Sequence, residues 1–234
     1  MQQLIQNQEY VEKTGIFMNI AYLIGIFGMY VGVDGLIGQK YKGKYYLIHG
    51  VNNVFISYLT CGDVVTTFTD FRNVLTENVS VLPSIVTASL HAYHVYCYHK
   101  YFKPDDWLHH MLMGLALALA HQYDTGRLIN YSLFFTTGFP GIVDYFLLFL
   151  VKNDKLDALS EKKVNAIINL WIRAPGCISH SVLTLLVYNL YKDTQLSGYF
   201  EQFGYILTAL ITFWNGIYFM NKVVTSYNTA NANK

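Results

Sequence analysis

The chain has 234 residues, 53% of them apolar and 13% charged, with a formal net charge of +1. The charged share is about half the roughly 25% of soluble domains, and so small a net charge provides no field to draw a nucleic acid. Cys61, Cys97 and Cys177 each lie inside an apolar run, without metal-ligand spacing, so neither a disulfide framework nor a cysteine zinc site is indicated.

Residues 1–15 are a polar tail (Gln2, Gln3, Gln6, Asn7, Gln8, Glu9) with no basic n-region, so no cleaved signal peptide is expected. Seven apolar stretches follow: Ile16–Leu36, Tyr46–Phe68, Val79–His99, Trp107–Tyr123, Leu128–Val151, Val164–Tyr191 and Tyr199–Asn221. Most approach the roughly 20 residues that a bilayer requires. The fourth is the shortest. The sixth would make about 42 Å of helix, so it either protrudes or breaks at Pro175-Gly176. Short gaps predict an all-α integral membrane protein with seven transmembrane helices. The units are a tail (1–15), a first helix with its basic loop (16–45), one bundle (46–222) and a polar end (223–234).

Lysine placement orients the bundle. Lys40, Lys42, Lys44, Lys100, Lys103, Lys152, Lys155, Lys162, Lys163, Lys222 and Lys234 fall on one side of seven spans. Lys13, Arg72, Arg127 and Lys192 fall on the other. The positive-inside rule then puts the N-terminus outside and the C-terminus in the cytosol. The sequon at Asn78-Val79-Ser80 lands on the non-cytosolic side, close to the membrane, and that at Asn130-Tyr131-Ser132 lies within the fifth span.

Several strong polar groups enter the cytosolic half of the bundle. His109-His110 opens the fourth span, and His110 lies about 6 Å in at 1.5 Å per residue. His94 lies about 9 Å in, with His91 one turn deeper on the same face. Asp144 lies about 12 Å in, and Arg173 about 15 Å in if its helix starts at Lys163. His49, Asn52 and Asn53 enter the second span from the same side. Such groups should face one another, because unpaired charge in hydrocarbon is costly. Each also has a purely structural role open to it: Asp144 with Arg173, or with a histidine, as an ion pair, His91 and His94 as satisfied interior histidines. His99 reads as interfacial; His121 and Asp124, with Asp63, read as a capping cluster near the opposite face; His180 is open. Gly138-Phe139-Pro140-Gly141 predicts a helix break one turn before Asp144, either a packing kink or a cavity wall.

At these residues the chain resembles the TLC domain family. The likeness rests on His109-His110 opening a short apolar helix, on a following helix that carries Asp144, and on the basic loop starting at Lys152. Phe139-Pro140-Gly141-Ile142-Val143-Asp144-Tyr145 and Asn169-Leu170-Trp171-Ile172-Arg173-Ala174-Pro175-Gly176 are similar to stretches in uncharacterised members. The resemblance covers about Tyr46 to Asn221 and implies a six-helix bundle with one added N-terminal helix. The family's best-understood members are ceramide synthases, whose signature pairs two histidines with a downstream His-Asp-x-x-Asp. Here Pro140-Gly141 stands where the His-Asp would be.

The resemblance implies a lipid acyltransferase using acyl-CoA as co-substrate, in the endoplasmic reticulum or another endomembrane. His109 or His110 would be base or nucleophile, and Asp144 its orienter. His91, His94, Arg173, Asn52 and Asn53 would line the substrate pocket. No metal or resident cofactor is called for, and membrane lipids, acyl-CoA and a second copy of the chain are the expected partners. The altered His-Asp element leaves a second expectation open: a non-enzymatic lipid-binding, lipid-homeostasis or cargo-receptor protein. His91-x-x-His94 with His109-His110 also offers four ligands to a metal oxygenase, but the repeated His-x-x-His-His boxes of a di-iron site are missing.

Overall fold

The computed structural model describes residues 2–75, 79–122, 125–193 and 198–233, with side chains from residue 15 onward except that of Gln122. Asn78 of the first sequon and Asp124 of the expected capping cluster lie outside the described residues. Long helices follow one another: α1 (Gln2–Ile37), α2 (Lys44–Thr69), α3 (Leu82–Tyr98), α4 (Pro104–Gln122), α5 (Arg127–Lys152), α6 (Ala158–Tyr191) and α7 (Tyr199–Ala232). Among the described residues there is no strand. The polar tail is helical from Gln2 and continuous with the first apolar stretch, and α7 runs past Asn221 to Ala232.

Gly15–Ile37, α5, α6 and α7 are long and apolar enough to cross a membrane. α3 has 17 residues. His49, Asn52, Asn53 and Asp63 dilute the apolar run of α2, as Asp105, Asp106, His109 and His110 dilute that of α4.

Local chemistry explains where α6 starts and how two helices pass their prolines. The Asp157 carboxylate accepts from the backbone N–H groups of Leu159 (3.1 Å) and Ser160 (2.9 Å), capping α6. The break expected at Pro140 does not occur, and at Pro175, where the sixth span is expected to protrude or break, the helix also runs on. Each helix instead widens into one π turn, Phe134–Gly138 in α5 and Asn169–Arg173 in α6. The Phe139 N–H bonds the Phe134 carbonyl, and the Ala174 N–H bonds that of Asn169. Proline follows immediately in both. The wider turn makes room for a residue that lacks an N–H and whose ring would crowd the carbonyl four residues back. Close packing follows each turn: a Cβ added at Gly141 would stand 2.3 Å from Asn53 Nδ2, and one at Gly176 2.2 Å from the Phe135 ring.

α6 packs most extensively on α7, α2 lies against α5, α1 against α3, and α4 against α7. Among the described residues, buried polar side chains are as numerous as buried apolar ones, while large apolar side chains such as Phe17, Leu36, Tyr58, Met111, Trp171 and Phe200 face outward. An oily exterior around a hydrogen-bonded interior suits a chain solvated by lipid. The first helix is tied in by polar bonds: Asp34 accepts from the hydroxyls of Tyr93 (2.7 Å) and Tyr98 (2.5 Å) and pairs with Lys44 (2.7 Å). Tyr30 donates to Asn52 (2.5 Å).

Candidate functional site

α2, α3 and α4 bring five histidines together at one end of the bundle. His49 and His94 are almost fully buried, at 3% and 2% exposure. Their ring centroids lie 4.6 Å apart. His91, one turn before His94, lies 4.9 Å from His110 and 5.5 Å from His109; His94 lies 5.8 Å from His110. The i, i+3 spacing on α3 puts His91 and His94 on one face, and adjacent positions on α4 splay His109 toward Phe219 of α7 (5.9 Å) and His110 toward Phe102. The Phe102 ring stacks on His110 at 4.7 Å, and that of Tyr145 on His49 at 3.6 Å.

Four of these rings present a buried nitrogen with no hydrogen-bond partner: Nδ1 of His49, Nε2 of His91, Nε2 of His94 and Nδ1 of His110. His91 is fixed through its other nitrogen, 2.9 Å from the Thr87 carbonyl. Unpaired buried polar atoms are rare because each forfeits its bonds to water. Here they cluster beside a cavity of about 570 Å³, within the range of small-molecule sites. His49, His94, His109 and His110 line it with aromatic rings, including Tyr45, Tyr98 and Tyr145. Lys103 and Asp106 also line it. The Asp106 carboxylate accepts from the Lys103 backbone N–H at 2.8 Å.

The other expected site residues lie around this cavity and not in its wall. Asn52 and Asn53 sit one turn below His49; the amide of Asn52 donates to Asn53 (3.3 Å), and Thr137 donates to the same oxygen (3.3 Å). Arg173 donates to Asn215 (3.1 Å), its guanidinium 4.7 Å over the Phe219 ring. Asp144 meets neither a histidine nor Arg173 in a hydrogen bond or ion pair. Its carboxylate accepts from Asn165 (2.7 Å), whose amide also donates to Glu161 (3.3 Å), while Asn169 donates to the Asn165 side-chain oxygen Oδ1 (2.6 Å). Among the described residues no carboxylate bonds a ring nitrogen of the cluster, and no three His, Cys, Asp or Glu side chains stand where they could hold a metal ion.

Sequence reasoning missed Tyr45, Tyr145, Phe102, Asn165 and Asp34. Glu161, Asn165, Asn169 and Arg173 recur every fourth residue on α6, a polar stripe visible in the sequence. Nothing in the sequence marks Asp34 as the anchor of α1. No protein-family model matches the chain, and no curated protein or solved structure matches it.

Proposed function

We propose that the chain is a seven-span, TLC-like membrane protein of an endomembrane, and that its histidine cavity receives the polar end of a membrane lipid. The carrying observation is the clustering of four unpartnered, buried ring nitrogens, three of them on histidines (His49, His94 and His110) that line one aromatic cavity. Imidazole pairs left without partners inside a bundle are costly unless a ligand completes them. Lys103 lines the cavity, which suits a donor that arrives from water carrying phosphates, such as acyl-CoA.

The reaction such a site would run is acyl transfer. A neutral ring nitrogen of His110 or His109 accepts the proton of a lipid amine or hydroxyl as that nucleophile attacks the thioester carbonyl. The C–S bond then breaks, and the imidazolium returns the proton to the leaving thiolate. His91 and His94 would position the acceptor. In purified protein given radiolabelled acyl-CoA and membrane lipid, His110→Ala lowers transfer by about 10²–10⁴-fold at unchanged expression. Full transfer by that variant would remove His110 from the chemistry.

A second proposal is binding without turnover, favoured by the position of Asp144. A catalytic imidazole is normally oriented by a partner, and here the nearest expected carboxylate bonds Asn165. Lipid that copurifies with the wild-type chain, is lost in His110→Ala and is unchanged after acyl-CoA addition would decide for binding alone.

A further inference from the structure

Another cavity, of about 250 Å³, lies toward the end of the bundle away from the histidines. It sits over α3 between α1 and α4, which both pack on α3 but do not pack extensively on each other. On α3, Ser84 in its wall stands seven residues before His91, about 10 Å along the helix.

The three helices line this cavity in the same graded way. α1 gives Asn19 and Leu23, α3 gives Ser84 and Ala88, and α4 gives His121 and Leu117. Members of each pair are four residues apart and so share a helix face. On every helix the polar member is the one farther from the histidines: α3 and α1 run toward them, reaching His94 and the Asp34–Tyr98 bond, and α4 runs away from His109. The Ser89 hydroxyl reaches the Leu23 carbonyl at 3.1 Å, a register that brings Asn19 level with Ser84. Val81 and Ile85 flank Ser84 and add apolar surface.

Two of the polar groups need a partner. Ser84 is 4% exposed and its Oγ has none, which forfeits the bonds it would make to water. Asn19 faces outward four residues into the span Gly15–Ile37, about 6 Å along the helix, where an amide against hydrocarbon is costly. Among the described residues no Asp, Glu, Lys or Arg lines the cavity, so a phosphate or ammonium head would find no counter-charge there. A hydroxyl needs none. It donates once and accepts twice, which suits a serine and an amide together. The volume is just under the roughly 300–1,000 Å³ of small-molecule sites, so the cavity takes a head and the adjoining part of its body, with the remainder in lipid between α1 and α4.

We propose that this cavity binds an uncharged membrane lipid whose head is a single hydroxyl, a sterol or a diacylglycerol, with the hydroxyl on Ser84 and Asn19 and the body against Leu23, Ala88 and Leu117. The site is separate from the histidine cavity and stands whether or not that cavity takes a lipid. Tritiated cholesterol and tritiated dioleoylglycerol, offered separately to the purified full chain in detergent, test it. The chain retains at least one of them, and which one identifies the source of the hydroxyl. The analogue without the hydroxyl, cholestene or the dioleate of propylene glycol, competes about tenfold less well. Ser84→Ala, of nearly the same shape, weakens retention by about the same factor. Ala88→Phe fills the cavity and abolishes retention, whereas His110→Ala leaves it at the wild-type level. Retention of neither lipid overturns the proposal, as does equal competition by the analogue without the hydroxyl. A preference for the hydroxyl that survives Ser84→Ala overturns the assignment to Ser84. Retention that survives Ala88→Phe places the lipid elsewhere and overturns the site, in favour of the histidine cavity if His110→Ala abolishes it.

Discussion

Tyr145 lies flat on His49, with ring centroids 3.6 Å apart and planes 11° from parallel. The contact joins α5 to α2 at the floor of the histidine cavity. Tyr145→Phe keeps the ring and should leave the melting temperature in detergent unchanged. Tyr145→Ala loses the stacked pair, about 0.5–1.5 kcal/mol beyond the buried area, together with the area itself, and should melt several degrees lower. Equal melting of Phe and Ala variants would mean that the stack contributes nothing.

The two close approaches beside the π turns should respond unequally to a methyl group. At Gly176 an added Cβ stands 2.6 Å from the Phe135 Cβ as well as 2.2 Å from its ring, so rotating the ring brings no relief. At Gly141 the obstacle is the end of the Asn53 side chain, which can turn away. Gly176→Ala should cost about 1–3 kcal/mol, more than Gly141→Ala, and Phe135→Ala, which removes the ring but keeps the Cβ, should restore only part of the loss. Thermal melting of the three variants checks the order.

Asp34 is the polar anchor of the first helix. Asp34→Ala leaves the hydroxyls of Tyr93 and Tyr98 without their acceptor and Lys44 without its counter-ion. Each stranded buried group costs about 1–3 kcal/mol. Hydrogen exchange across residues 15–37 should accelerate in the variant while exchange in α6 and α7 stays at its wild-type rate. Uniform acceleration would mean that α1 is not held separately by this contact.

Asp144→Asn retains an oxygen that can accept from Asn165. It should therefore preserve both stability and copurified lipid, in contrast to His110→Ala, which empties the cavity. Loss of acyl transfer with lipid retained in Asp144→Asn would show the carboxylate entering the chemistry in a way the resting geometry does not display.

One pH effect has a defined sign. Asp105, exposed at the start of α4, accepts from Lys222 and from Tyr218 (3.3 Å) near the end of α7. The bond from the Lys222 ammonium holds its carboxyl below the usual carboxylate range. A carboxyl depressed in the folded state stabilises that state above its unfolded value, about 3.9, and the contribution is lost as pH falls through the lower folded value. Lys222→Gln should thus lower the melting temperature slightly at neutral pH and leave it unchanged at strongly acid pH, so that the acid limb of the profile becomes flatter. High salt should mimic it, because the pair is open to solvent.

Most of the helical framework was legible in the sequence. The second stretch, Tyr46–Phe68, became Lys44–Thr69, and the fifth, Leu128–Val151, became Arg127–Lys152, because apolar runs bounded by charge are local signals. The gathering of His91, His94, His109 and His110 was also foreseeable from their common depth. Partner choice was not. Whether Asp144 meets a histidine or Asn165 depends on how α5 is rotated about its axis, and a single π turn changes that rotation. The proline motifs announced an irregularity, but Pro-Gly at depth is compatible with either a break or a widened turn, and only the neighbouring packing of Phe135 and Asn53 selects between them.

Each π turn amounts to one residue more than an α-helix would need to span the same height. Closing Phe134–Gly138 into a regular α-helical turn with every residue retained would swing everything after it by about 100°, carrying Tyr145 off His49 and Asp144 off Asn165. The same closure in Asn169–Arg173 would turn His180 and Thr184 out of the interior. The two turns therefore act as phase settings: each absorbs one residue, so a one-residue deletion inside the turn would leave the later letters of its helix facing as they do, whereas the same deletion elsewhere in the helix would turn them away.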